Sequence, residues 1–339
     1  MKKRGSVFAV CLCAAVIVAA VVGDFLFSRN FSDDFLAMNT AVSLDVTGFH
    51  SEKAVEIIKN EIIRLDEKLL SRTNINSEIY AVNNGKTEIS DELREILGYL
   101  KQIEKNSDGA FNIGIAQLTD LWGIGTENEH LPDEQEISAA IKNSEKWQIS
   151  GNNVSLPANV QLDLGAVGKG TACDYAYKTL ADLKCSQAVI AVGGSVLLYD
   201  SKPDSTFKVG IRDPLGETNE YCAVLEITPA CVSTSGNYER FFEDENGNRY
   251  HHIFDPSTGY PADSGLLSAT VVTQYGTVSD ALSTACFVLG IERSLPLLEK
   301  YNADAVFITE DKKIITTYGD LEDKIITVTN DNYTPGEIE

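Results

Sequence analysis

Apolar residues recur at helical spacing between residues 51 and 70, with Ala54, Ile57, Ile58, Ile62, Leu65 and Leu69 on one face, and predict a long amphipathic helix. A second helix is expected over 90–106, opened by Ser90 and presenting Leu93, Ile96, Leu97 and Leu100. A shorter amphipathic helix starts at Pro132 and runs to 146. Residues 28–36 read as a linker into Thr40-Ala-Val-Ser-Leu-Asp-Val46, whose alternation of apolar and polar positions predicts the first strand. Beyond 150 the pattern shortens to strand-like runs at 160–164, 187–192, 206–211 and 221–228, interrupted by a helix over 171–183. Asn246-Gly247 between 239–243 and 249–254 signals a hairpin. Strand 266–273, helices 279–290 and 292–300 and strand 304–309 follow, and the polar residues from about Asn330 read as a frayed end. Frequent hairpins among interleaved helices imply an α+β class with a mixed or antiparallel sheet, not a doubly wound parallel one. With no linker after residue 40, one compact domain is expected over 35–325, followed by a polar tail at 326–339.

The N-terminus departs from this pattern. Met1-Lys-Lys-Arg4 is basic, and Gly5 through Phe27 carries no charge except Asp24. As a helix, Gly5 to Gly23 would span about 28 Å, close to the hydrocarbon core of a bilayer. An uncleaved membrane anchor within 1–30, with the bulk of the chain outside the cytoplasm, is the expectation. A signal peptide cut after Gly23 is the alternative. The chain as a whole has the composition of a globular protein, 43% hydrophobic and 23% charged. Its net charge of −22 excludes non-specific binding to nucleic acid, whose phosphates would be repelled. A phosphate ligand stays open where a metal ion or backbone amides offset its charge. Of seven cysteines, two lie in the apolar segment. The other five (Cys173, Cys185, Cys222, Cys231, Cys286) have no C-x-x-C spacing and read as small buried hydrophobes.

Candidate chemistry concentrates in four places. Gln161-Leu-Asp-Leu-Gly-Ala-Val-Gly-Lys-Gly-Thr171 leads from a strand-like run into a helix. Gly165, Gly168 and Gly170 let backbone approach a ligand, and a helix start favours an anion. The loop matches neither a Walker A motif nor G-x-G-x-x-G. A second glycine turn, Val192-Gly-Gly-Ser195, ends another strand. Asp280 and Thr284, four apart on a helix that Ser279 would cap, share a face. Asp280 is then either a favourable first-turn acid or part of a hard-cation site of carboxylate, hydroxyl and carbonyl oxygens. His251 and His252 fall on a strand and point to opposite sides, so one of them can face a site as general base. Zinc is not expected, because His50 and His130 lie in unrelated contexts and no cysteine pair completes a ligand set. The absence of a G-x-S-x-G segment argues against an ordinary serine hydrolase.

The order D-L-G-A-V-G-K-G (163–170), V-G-G-S (192–195), S-T-S-G-N-Y-E-R (233–240), H-H-I-F-D-P-S-T-G (251–259) and S-D-A-L-S-T (279–284) resembles the ApbE family of FAD:protein FMN transferases. Met38-Asn-Thr40, Leu70-Ser-Arg72, Ser107-Asp-Gly-Ala-Phe111 and Leu121-Trp-Gly123 agree, and the likeness covers about 35–310. It implies an exported or membrane-anchored enzyme that cleaves FAD with Mg²⁺, places FMN on a threonine or serine of an acceptor protein and releases AMP. It also implies that Asp280, Thr284 and the carbonyl of Gly168 hold the metal and that His252 is the base for the acceptor hydroxyl. Gly165, Lys169, Gly193, Gly194, Thr234, Ser235, Arg240, His252 and Asp255 are the residues it assigns to FAD. Thr73 stands where many members have an aromatic residue, and Asn112 and Asn237 stand where they often have acids. A metal-dependent FAD pyrophosphatase and a non-catalytic, membrane-anchored FAD-binding module are the rival readings. No Asp-Gly-x-Ser/Thr-Gly-Ala-Ser/Thr acceptor motif occurs in the chain, so the acceptor is expected to be another protein.

Overall fold

A computed structural model describes residues 29–217, 219–317 and 326–338. The apolar N-terminal segment, and with it the expected anchor, lies outside the described residues. In chain order the elements are β1 (Asn30–Ala37), β2 (Thr40–Thr47), α1 (Ser51–Arg64) continuing as a π-helical turn (Leu65–Leu70), α2 (Glu78–Asn83), α3 (Asp91–Asn106), α4 (Ala116–Trp122), α5 (Glu134–Ile141), β3 (Gln148–Ser150) and β4 (Asn153–Ser155). Then come α6 (Gly168–Asp182), β5 (Gln187–Val192), β6 (Ser195–Asp200), β7 (Phe207–Arg212), β8 (Tyr221–Ile227), β9 (Ala230–Gly236), β10 (Phe241–Glu243) and β11 (Arg249–His251). The last are β12 (Leu266–Thr273), α7 (Gly276–Leu289), α8 (Ile291–Tyr301), β13 (Asp304–Thr309), β14 (Lys313–Thr316), β15 (Ile326–Val328) and β16 (Thr334–Pro335).

A nine-stranded sheet in the order β1-β2-β5-β6-β9-β12-β13-β14-β16 forms the frame. Every neighbouring pair is antiparallel except β14 and β16. One face buries the main core against α1, α3, α6, α7 and α8. The three-stranded sheet β15-β8-β7 encloses a second core containing Leu198, Val232, Val306 and Ile314 from the large sheet. The expected α+β class, with a largely antiparallel sheet, is what the chain adopts.

Several expected elements shift, each for a local reason. Residues 30–37 are a strand and not a linker: they pair with β2 through a two-residue turn at Met38 and Asn39, both at positive φ. The paired acids Asp33 and Asp34 mask the strand's alternation, yet Asp33 is satisfied by Lys59 at 2.8 Å. The run 160–164 is not a strand. Asn83 takes the place of a neighbouring strand, accepting from Leu162 N–H at 2.7 Å and donating to its carbonyl at 2.8 Å. The helix expected over 132–146 stops at Ile141, held at its start by a capping box between Asp133 and Glu136. Helix α6 begins three residues earlier than expected, at Gly168, and α7 begins at Gly276. Ser279 is therefore not an N-cap but a fully buried residue of the first turn. The end of the chain is not frayed: Tyr333 is buried, donates its hydroxyl to Asp213, and leads into β16.

Candidate active site

Strand β9 and helix α7 are joined by a row of hydroxyls. Ser233 and Ser235 are two apart on the strand and face the helix, where Ser279 and Ser283 are four apart. Two strand residues advance about 6.8 Å and four helical residues about 6 Å, so the two spacings match. Ser233 meets Ser279 at 2.8 Å and Ser235 meets Ser283 at 2.8 Å, with Thr284 Oγ1 3.3 Å from Ser235. Thr234, between them, points to the other side of the sheet, where its hydroxyl meets Thr270 at 2.8 Å. Only the backbone of Thr234 reaches the glycine turn, through a 3.0 Å bond from its N–H to the carbonyl of Gly194.

Asp280 projects from the first turns of α7 into this polar seam and is 3% exposed. A carboxylate so buried needs partners. It accepts from Ser195 Oγ at 3.0 Å and from the Gly170 N–H at 2.9 Å, and Lys169 Nζ lies 3.4 Å from its Oδ1. The V-G-G-S turn, the glycine loop and α7 thus converge on one carboxylate. Gly193, at φ +54°, makes the turn possible: a Cβ there would lie 2.6 Å from Thr40 Oγ1. Gly168 opens α6 two residues before Gly170, and Lys169 Nζ also approaches the carbonyl of Gly165 at 3.4 Å. Thr284 donates to the Asp280 carbonyl at 3.4 Å, one turn back along the same helical face.

The histidines divide as their alternation requires. His251 is buried, holds the Ala262 carbonyl through Nε2 at 3.1 Å, accepts from Ile253 N–H through Nδ1, and stands edge-on to Phe287. Both nitrogens are occupied. His252, just past β11, has only Nδ1 engaged, 3.3 Å from the Arg240 carbonyl. With Nδ1–H donating, Nε2 keeps its lone pair and can accept a proton. Burial, and then the positive charges of Arg240, His251 and Lys169, bring its pKa down to about 4, so the ring is neutral at pH 7. The side chain of Arg240 is exposed and reaches over Gly125. The Asp255 carboxylate organises the 255–259 turn, accepting from Ser257 N–H at 2.8 Å and from its hydroxyl at 2.7 Å.

Other residues build the surroundings without having been legible as site residues. Arg72 bridges Asp163 of the glycine loop at 3.0 Å and Asp120 of α4 at 2.7 Å. Trp122 donates to the Gly259 carbonyl at 2.9 Å and packs among Phe242, Tyr250, Phe254 and Tyr260, fastening α4 to the histidine hairpin. Thr73 is exposed and bonds Ser71; Asn112 is buried and turns the chain by accepting from Gly114 N–H at 2.7 Å. The Asn237 N–H donates to the Leu267 carbonyl at 3.2 Å. Asp174, described below, stands out by no spacing or motif, and Ser195 ends the V-G-G-S turn without any sign of its partner; only the folded chain brings them to α7.

A mixed-sheet α+β scaffold that brings a buried carboxylate, a hydroxyl-lined strand and glycine-rich helix starts together, with a neutral histidine that feels the charge of Lys169, has the parts of an enzyme's active site. The ApbE family model matches residues 38–307, and the chain belongs to the ApbE family. It is 31% identical to an FAD:protein FMN transferase of Treponema pallidum (strain Nichols), over 86% of this chain and 88% of the relative. It is 29% identical to one of Klebsiella pneumoniae (strain 342), over 85% and 92%. Among solved structures, the ApbE protein of Thermotoga maritima superposes with a TM-score of 0.79 at 27% identity, covering 88% of this chain and 99% of that one. The apo flavinyl transferase ApbE of Pseudomonas stutzeri gives 0.73 at 26%, covering 88% and 96%.

Proposed function

We propose that the chain is an FAD:protein FMN transferase that uses a divalent cation, Mg²⁺ by its donor set, and a threonine or serine hydroxyl as acceptor. The observation that carries the reading is the convergence of Asp280, Thr284 and the Gly168–Gly170 helix start, with His252, whose Nδ1 alone is engaged, near enough to feel the charge of Lys169. The donors suit a hard cation in kind: one carboxylate, one hydroxyl and one backbone carbonyl, with substrate phosphates and water to complete the shell. Lys169 supports the fit, since its ammonium already sits against Asp280 Oδ1, where positive charge is drawn. Bound there, the cation would neutralise the diphosphate of FAD.

The remaining work falls to the chain. Ser235 stands beside Thr284, and the V-G-G-S turn and the glycine loop reach Asp280 through Ser195 and Gly170. His252 Nε2 takes the proton of the acceptor hydroxyl as its oxygen bonds to the FMN-side phosphorus. The phosphorus–oxygen bond to the adenylate side breaks, and AMP leaves with that oxygen. A pKa near 4 keeps His252 unprotonated before substrate binds, and a nearby diphosphate would raise its basicity. We also propose that the N-terminal apolar segment anchors the chain with its main body outside the cytoplasm, facing acceptor proteins there.

The test is to incubate the chain with FAD, Mg²⁺ and a candidate acceptor, following in-gel flavin fluorescence and AMP release with and without the acceptor. Flavin on the acceptor, with AMP release stimulated by it, is expected. His252→Ala should slow transfer by about 10²-fold or more while leaving FAD binding largely intact. AMP released equally in both arms with no flavin on protein would make the chain a pyrophosphatase.

A further inference from the structure

The oxygens assigned to the cation come from two helices: the Gly168 carbonyl from α6, and Asp280 and Thr284 from α7. Their spacing is therefore set by how α6 and α7 cross. The crossing is unusually close at one point. A Cβ on Gly170 would lie 2.0 Å from the Gly276 carbonyl oxygen, and a Cβ on Gly276 would lie 2.2 Å from that of Gly170. Two backbones in such contact can still slide or rotate unless something fixes them along the crossing.

Asp174 does so. It lies four residues after Gly170 on α6, hence on the same face, one turn further on. Helix α7 has no side-chain cap of its own, because its N-cap residue is Tyr275. Its first amides are orphans by construction. The Asp174 carboxylate accepts from Gly276 N–H at 2.6 Å through one oxygen, and from Thr277 N–H at 2.9 Å and the Thr277 hydroxyl at 2.6 Å through the other. Thr277 Oγ1 also stands 3.1 Å from Thr171 Oγ1 of α6. A carboxylate of one helix thus caps the next, engaging two consecutive residues with both oxygens, and this fixes the rotation as well as the height of α7. Asp280 follows one turn later and closes the arrangement through Gly170 N–H.

We infer that Asp174 is a positioning residue that sets the register between α6 and α7, and so holds Asp280, Thr284 and the Gly168 carbonyl at the spacing a divalent cation needs. The inference rests on the cation reading above. Groups that orient metal ligands typically alter affinity by about 10–100-fold when removed.

The experiment is direct titration of the purified, FAD-free chain with Mn²⁺, read by loss of the free-ion signal in electron paramagnetic resonance. Asp174→Ala should bind Mn²⁺ about tenfold more weakly or worse, and Asp174→Asn, which keeps one acceptor oxygen, should fall between it and the parent. Circular dichroism restricts the comparison to folded protein, with Asp174→Asn serving if the alanine variant does not fold. Ile314→Ala, a truncation in the second core on the other face of the sheet, lowers stability without touching this crossing and should bind as the parent does. Parent-like affinity in both Asp174 variants, with binding abolished by Asp280→Ala, would overturn the positioning role while leaving the cation site standing. Parent-like affinity in Asp280→Ala would remove the cation site and the inference with it.

Discussion

Adjacent histidines with opposite duties show how much one residue of register decides. His251 contributes to the core and to the hairpin's backbone bonds, whereas His252 keeps one ring nitrogen for chemistry. The packing of His251 has a measurable cost in acid. Burial brings its pKa from the usual 6.5 down to about 4, so between those values the unfolded chain binds a proton that the folded chain refuses. Stability therefore rises with pH across this window. The contribution is complete above pH 6.5 and is lost as pH falls towards 4, by up to about 3 kcal/mol from this group. Urea unfolding between pH 7.5 and 4.5 should show that decline, and His251→Gln, less stable at neutral pH, should show a shallower one. An equal slope in both proteins would place the acid sensitivity elsewhere.

At the scale of elements, function depends on pairs that no single segment specifies. The serine row between β9 and α7 aligns a two-residue repeat with a four-residue one, and the glycine contact sets α6 against α7. A methyl group at Gly170 would meet the Gly276 carbonyl and Asp280 Cβ, at 2.0 and 2.8 Å, neither able to move without shifting a helix. Gly170→Ala should therefore cost about 3 kcal/mol or more and weaken transfer together with stability. Gly98, in the interior of α3, has nothing within 4 Å of its missing Cβ. Gly98→Ala should instead stabilise by about 0.5–1 kcal/mol, because only the unfolded chain loses freedom. Urea midpoints of the two variants check both signs, and parent-like stability of Gly170→Ala would contradict the close crossing.

For the whole molecule, the large sheet takes strands from Asn30 to Pro335, and the last of these are secured through Tyr333 and Asn330 on Asp213. Among the described residues no helix is long and apolar enough to cross a membrane. Membrane attachment would thus rest on the segment before Arg29, and its basic flank would, under the proposed topology, leave the residues beyond it outside the cytoplasm. The chain should sediment with membranes, and protease added to intact, wall-stripped cells should digest its main body. Full protection of that body would reverse the proposed topology.

The sequence by itself determined which segments pack and where chemistry gathers. Periodicity located α1, α3, β2 and β5 because one-sided burial leaves a repeat of 3.6 or 2 in the chain, and the Asn246-Gly247 turn located the 239–254 hairpin. The ordered motifs around Gly168, Gly193, His252 and Asp280 identified the family, since each is a local device of turn, helix start or strand end. Other features were beyond its reach. The acids of β1 hid a strand whose satisfaction comes from Lys59, and the 160–164 run reads as a strand although Asn83 is its partner. Ser279 looked like a cap because serine is a favoured N-cap and an acid favoured in the first turn, yet α7 starts three residues earlier, capped from another helix by Asp174. Ser195, Arg72, Asp174 and Trp122 act across separations of tens to more than a hundred residues. Such contacts leave no periodic trace, because the partner of each side chain is chosen only when the sheet and helices close around it.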